Sequence, residues 1–135
     1  MKVNTYSIRN GFDKEKCLVH ARCCYSPEFM IATAQYLNLA GSDLFTGILM
    51  SQSFDEGKTW SEFKPQKGLA PITNGEITTV GCDATPLFHN KTGKVLLLGI
   101  STEYKPTSMH PEPEHQYTFY SVFDNEKMSF RRCVF

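Results

Sequence analysis

The side chains in this 135-residue chain best suited to bind a metal or attack an electrophile are five cysteines and four histidines. The cysteines are Cys17, Cys23, Cys24, Cys82 and Cys133; the histidines are His20, His89, His110 and His115. A zinc ion is usually held by ligands paired at short spacing, and no C-x-x-C or comparable pair occurs. The histidines are isolated, the last two in a proline-rich stretch. The spacing therefore supports no metal site, and no cofactor is implied. The scattered, odd-numbered cysteines read as buried reduced thiols of an intracellular protein, with a bridge from Cys23 or Cys24 to Cys82 as the alternative.

The composition narrows the possible partners. Fourteen Lys+Arg balance fourteen Asp+Glu, so the chain lacks the basic excess of a nucleic-acid or anionic-membrane binder. With 41% hydrophobic and 21% charged residues it has the make-up of a globular domain rather than a disordered tail. No segment approaches the roughly 20 apolar residues that span a bilayer. The N-terminus lacks the apolar stretch of a signal peptide, which makes the cytoplasm the default expectation.

The elements that must position any site read as strands. Residues 17–24, 30–37, 44–53 and 59–63 are short β-rich runs bounded by turn residues. After a Pro/Gly-containing connection over 64–75 the pattern returns in 84–89, 94–101, 116–123 and 128–135. Asn90-Lys-Thr-Gly93 has hairpin-turn chemistry, and 103–114, with three prolines, reads as a long loop. Both halves follow one order: strand, hairpin, strand, long loop, strand, tight turn, strand. Asp55 and Asp124, at corresponding turns, lie 69 residues apart, and Pro27 and Thr92, at the hairpins, lie 65 apart. Two landmarks at nearly one offset indicate an internal repeat of a four-stranded antiparallel unit, the blade of a β-propeller. The expected fold is all-β: an extension over 1–16, a first blade over 17–70 and a second over 71–135. Two blades are fewer than a closed propeller needs, so the chain reads as part of one.

Ser53-Phe-Asp-Glu-Gly-Lys-Thr-Trp60 fits the Asp-box pattern S-x-D-x-G-x-T-W at every defined position. The chemistry suits a tight turn. The side-chain oxygens of Ser53 and Asp55 can accept turn N–H groups, Gly57 supplies positive φ, and Trp60 packs back on the blade beside Thr59. These residues read as a structural staple, not a reaction centre. The second turn, Asp124-Asn-Glu-Lys-Met-Ser-Phe130, lacks the glycine and tryptophan and is a degenerate copy.

On this motif and the repeat, residues 17–135 resemble the first two blades of the sialidase (neuraminidase) superfamily of six-bladed propellers. The resemblance implies an exo-sialidase-type glycoside hydrolase that releases terminal sialic acid from a sialylated glycan. It also implies roles for three residues. Arg22, in Val19-His-Ala-Arg-Cys23, matches the strand whose arginine clamps the sialic-acid carboxylate; a guanidinium fork suits that group. The family motif around it is altered, and an outward Arg22 with His20 facing inward is the competing arrangement. Asp43, in a loop ten residues before the Asp box, matches the general acid/base, a role that needs a partly desolvated carboxyl. Its alternative is a turn-forming aspartate after Gly-Ser. Asp83, in Cys82-Asp-Ala-Thr-Pro86, matches an aspartate near the bound sugar, or else caps the start of a strand.

The family's two other arginines and its Tyr/Glu nucleophile pair come from later blades. Tyr36, Tyr104, Tyr117 and Tyr120 match none of them, so this chain alone is expected to be inactive. The competing function is a non-catalytic Asp-box propeller that binds glycan or protein. The expected partners are thus a glycan and, for the unpaired blade faces, the missing blades or further copies of the chain.

Overall fold

The structure, a computed structural model, describes residues 11–41, 43–105 and 115–131. It is all-β and antiparallel, and the described residues include no helix long and apolar enough to cross a membrane. Sheet 1 runs in the order β1 (Lys16–Tyr25), β2 (Met30–Asn38), β3 (Leu44–Ser53), β4 (Lys64–Pro65). Sheet 2 runs β5 (Ile72–Asn74), β6 (Ile77–His89), β7 (Lys94–Tyr104), β8 (Gln116–Asp124), β9 (Ser129–Phe130).

Alternation explains the core. In β2, Ile31, Thr33 and Gln35 point toward sheet 2, while Ala32 and Ala34 point away. In β7 and β8, Val95, Leu97 and Phe119 face sheet 1. Ile31, Ile48 and Met50 from sheet 1 meet Leu97, Phe119, Phe123 and Phe130 from sheet 2 in the main cluster. Phe123 packs against Phe29 and Phe130 with ring centroids 5.4 and 5.2 Å apart, in the tilted geometries aromatic pairs prefer.

Several elements differ from the sequence reading. Residues 59–63 form no strand; pairing resumes only at the two-residue β4. Trp60 is turned back to the staple, its indole N–H donating to Gly57 O at 3.0 Å, so the chain leaves the turn irregularly. The 64–75 connection holds β4, a 3-10 turn over Lys67–Leu69 and the extra strand β5, which makes sheet 2 five-stranded. β6 starts at Ile77, seven residues earlier than expected, so Asp83 lies within a strand and caps nothing. Among the described residues of the last expected strand, Ser129 and Phe130 pair with β8; residues 132–135, and most of the 103–114 loop, lie outside the described residues.

Pairing registers sort the connections to two ends. At one end lie the hairpins after β1 and β6 and the turns after β3 and β8. At the other lie the starts of β1 and β6, the 39–43 loop and the end of β7.

Candidate functional site

Midway along the strands two β-bulges, one in each sheet, face each other. Pairing in β1 jumps from Val19↔Gln35 to Arg22↔Thr33, so His20 and Ala21 oppose Ala34 alone. In β6 it jumps from Cys82↔Ile100 to Thr85↔Leu98, so Asp83 and Ala84 oppose Gly99 alone. The first bulge residue takes positive φ in each case, +55° at His20 and +50° at Asp83. Glycine is the usual occupant of that position; His and Asp are among the few other residues that tolerate it. A Cβ on Gly99 would meet Cys82 O at 2.8 Å, so the strand opposite the second bulge must be glycine there.

A bulge frees backbone groups that must be satisfied. β2 supplies the partners from the neighbouring sheet. Asp83 N donates to Gln35 Oε1 at 2.9 Å, and Ala84 O accepts the Thr33 hydroxyl at 2.8 Å. With its oxygen so committed, Gln35 turns Nε2 to His20 Nδ1 at 3.1 Å. Gln35 is only 1% exposed, and its oxygen is committed to the Asp83 N–H. His20 Nδ1 also lies 2.5 Å from Asp83 Oδ1, with both side chains more than a third exposed. The Phe45 ring, 5.5 Å from the imidazole, packs beside it.

Asp43, also at positive φ (+53°), lies at the second end and is held through its backbone: its carbonyl accepts the Tyr104 hydroxyl. Burial pushes the Tyr104 phenol up to about 12, against the opposing hydrogen bond from the Phe45 backbone. Tyr104 thus stays a neutral donor and ties the 39–43 loop to β7. Burial likewise raises the Cys82 thiol; a Thr102 hydrogen bond opposes the shift, and the Asp83 and Asp43 carboxylates reinforce it.

Arg22 stands apart from this cluster. It is exposed, and its guanidinium donates to the adjacent Ala21 carbonyl at 3.1 Å. The side chain beside Asp83 is His20, the inward alternative. The sequence reading overlooked Thr33 and Gln35, although polar residues at alternate positions after Ile31 on a core-facing strand were a usable signal.

The Ser53–Trp60 turn lies at the opposite end. Ser53 Oγ accepts Gly57 N–H at 2.8 Å and donates to Asp55 Oδ1 at 2.9 Å. Asp55 accepts Thr59 N–H at 2.8 Å and the Thr59 hydroxyl at 2.6 Å. Those Thr59 bonds, with a smaller contribution from Ser53, hold the Asp55 carboxyl down at about 2. Gly57 has φ of +82°.

The described cysteines are free thiols: Cys24 and Cys82 are buried, Cys17 half-buried and Cys23 exposed. Neither Cys23 nor Cys24 bridges to Cys82, and Cys23 is not the interior thiol expected. Burial, then the neighbouring Cys23, raises the Cys24 thiol to about 11. Cys133 lies outside the described residues. Among the described residues no cluster of three or more His, Cys, Asp or Glu is placed to hold a metal.

A surface hollow of about 760 Å³ lies elsewhere, between the 3-10 turn and β9, lined by Lys67, Pro71, Asp124, Lys127 and Arg131 among others. It contains none of the bulge residues. We place the candidate site at the bulges, where two positive-φ residues, the buried Gln35 amide and the Asp83 carboxylate meet. No family model, curated protein or solved structure matches the chain.

Proposed function

We propose that this chain is the N-terminal portion of a sialidase-like glycoside hydrolase: two blades of a β-propeller that contribute Asp43 and Asp83 to a glycan pocket. What supports the reading is that Asp83 sits at a bulge facing His20 and that Asp43 lies in the 39–43 loop tied to β7, with the Ser53–Trp60 turn at the opposite end. Asp43 acts as the acid/base group and Asp83 contacts the sugar. The pocket is completed by further blades, so the chain alone binds without turning over.

One observation favours a second reading, a non-catalytic propeller that binds glycan or protein. His20 rather than Arg22 faces Asp83, which leaves the described cluster without a guanidinium for a carboxylate.

Titrating N-acetylneuraminic acid and a neutral hexose into the isotope-labelled chain tests both. Amide shifts at residues 20, 43 and 83 with the acid alone support the first reading. A response to both sugars favours the second. Undisturbed amides at all three positions sink the glycan site. In a chain carrying the remaining blades, Asp43→Asn lowers hydrolysis of a fluorogenic sialoside by orders of magnitude; unchanged turnover rejects the acid/base role.

A further inference from the structure

The end that carries the Ser53–Trp60 turn has chemistry of its own. In Ser53-Phe-Asp-Glu-Gly57 the residues that close the turn are Ser53, Asp55 and Gly57, which bond one another. Phe54 and Glu56, the two positions between them, are exposed. Both line a hollow of about 160 Å³, together with Tyr25 and Glu28 from the end of β1 and the turn that follows it.

The fold holds each wall in place. Phe29 packs on Phe123 in the core, and the Phe54 ring lies 6.3 Å from Phe29 in a tilted arrangement. Phe54 is still 68% exposed and Tyr25 60%, so much of each ring is open to a ligand. Glu28 stands in a turn that Ser26 closes, its N–H and hydroxyl both donating to Phe29 O at 2.9 and 2.7 Å. Glu56 has φ of +60°, which glycine or asparagine adopts more readily than glutamate. The turn alone therefore gives no reason for a glutamate at this position.

Charge and shape select the ligand. Among the described residues no Lys or Arg lines the hollow, and neither Glu28 nor Glu56 takes part in an ion pair. Two unpaired carboxylates repel an anion, and exposed aromatic faces attract a cation. A guanidinium answers both features: its planar fork bonds carboxylates while its flat face stacks on a ring. The hollow is well below the roughly 300 Å³ at which pockets for whole drug-sized ligands begin, and suits one head group on a short stem. We propose that it binds a guanidinium group, from a free guanidino compound or an arginine side chain of a partner, with Glu28 and Glu56 as its carboxylates and Tyr25 and Phe54 as its stacking surfaces. The site lies at the end of the sheets opposite Asp43 and is independent of the glycan reading.

Titrating ethylguanidinium chloride into the isotope-labelled chain at constant ionic strength tests it. The expected result is saturable amide shifts at residues 25, 28, 54 and 56, with residues 20, 43 and 83 undisturbed. Tetramethylammonium, which has no N–H to donate, should bind at least about tenfold more weakly. A blocked Gly-Arg-Gly peptide that binds more tightly than ethylguanidinium identifies a partner's arginine as the source; one that binds no better identifies a free guanidino compound. Glu28→Gln with Glu56→Asn should weaken ethylguanidinium binding about tenfold or more, and Asn keeps a residue that accepts positive φ. Phe54→Ser, also at an exposed position, should weaken it too; circular dichroism verifies folding. Glu28→Gln alone gives the same readout if the double variant fails to fold. Shifts that do not saturate, an equal response to tetramethylammonium, or folded variants that bind like wild type overturn the proposal.

Discussion

His20 Nδ1 and Asp83 Oδ1 lie 2.5 Å apart across the junction of the two sheets, and each residue opens the bulge of its own sheet. One backbone device, used once in each sheet, brings the two side chains face to face. Each holds a positive φ that costs on the order of 1 kcal/mol or more outside glycine, a strain that the surrounding hydrogen bonds offset.

Gln35 is the residue that makes those bulges compatible. Its replacement by Leu leaves the Asp83 N–H buried without an acceptor and frees His20. We expect Gln35→Leu to lose about 1–3 kcal/mol in urea unfolding. Thr33→Val, which removes the bond to Ala84 O, should lose about 1 kcal/mol. Unchanged midpoints would mean that the bulges are satisfied by other groups.

The Ser53–Trp60 turn should be sensitive to acid. The folded Asp55 carboxyl sits at about 2, below its ordinary 3.8. A depressed acid stabilises the fold fully above the unfolded value, and that stabilisation is lost as the pH falls through the folded one. The melting temperature of the wild type should therefore fall between about pH 4 and pH 2. Asp55→Asn should melt lower at neutral pH and show a shallower acid limb. Parallel limbs in the two proteins would remove Asp55 as the cause.

Adjacent residues of β7 should respond oppositely to truncation. Leu97 is fully buried between the sheets and Leu98 is exposed. Leu97→Ala should cost about 2–5 kcal/mol and Leu98→Ala well under 1 kcal/mol at concentrations where the chain is monomeric. Equal losses would show that the strand register is not the one described.

Two turn glycines should differ for a steric reason. Gly57 and Gly93 both have positive φ, but a Cβ at Gly57 meets Met30 Sδ at 3.3 Å while none meets anything near Gly93. Gly93→Ala should cost about 1 kcal/mol, the backbone term alone, and Gly57→Ala measurably more. Thermal unfolding of the pair decides it.

Much of the strand pattern was legible because alternation and turn chemistry are local. The runs 17–24, 30–37, 44–53 and 116–123 fall within β1, β2, β3 and β8. Trp60 misled the reading of 59–63: an aromatic in a β-rich run looks like strand, whereas its indole N–H closes the preceding turn. The His20 and Asp83 bulges left no local mark, since Val-His-Ala-Arg and Cys-Asp-Ala-Thr alternate plausibly as unbroken strand. A bulge is decided by what the opposite strand can satisfy, and for Asp83 that partner, Gln35, is 48 residues distant.

The sequence by itself determined the antiparallel β character and the chemistry of the Ser53–Trp60 turn, because each depends on residues within a few positions of one another. Only the tertiary structure decided which side chain of β1 meets Asp83. A single extra residue in a strand reverses the side to which every later side chain points. That extra residue is tolerated here because Thr33 and Gln35, from the same face of β2, reach across to the backbone groups the second bulge leaves open. The choice of His20 over Arg22 follows from that contact between sheets.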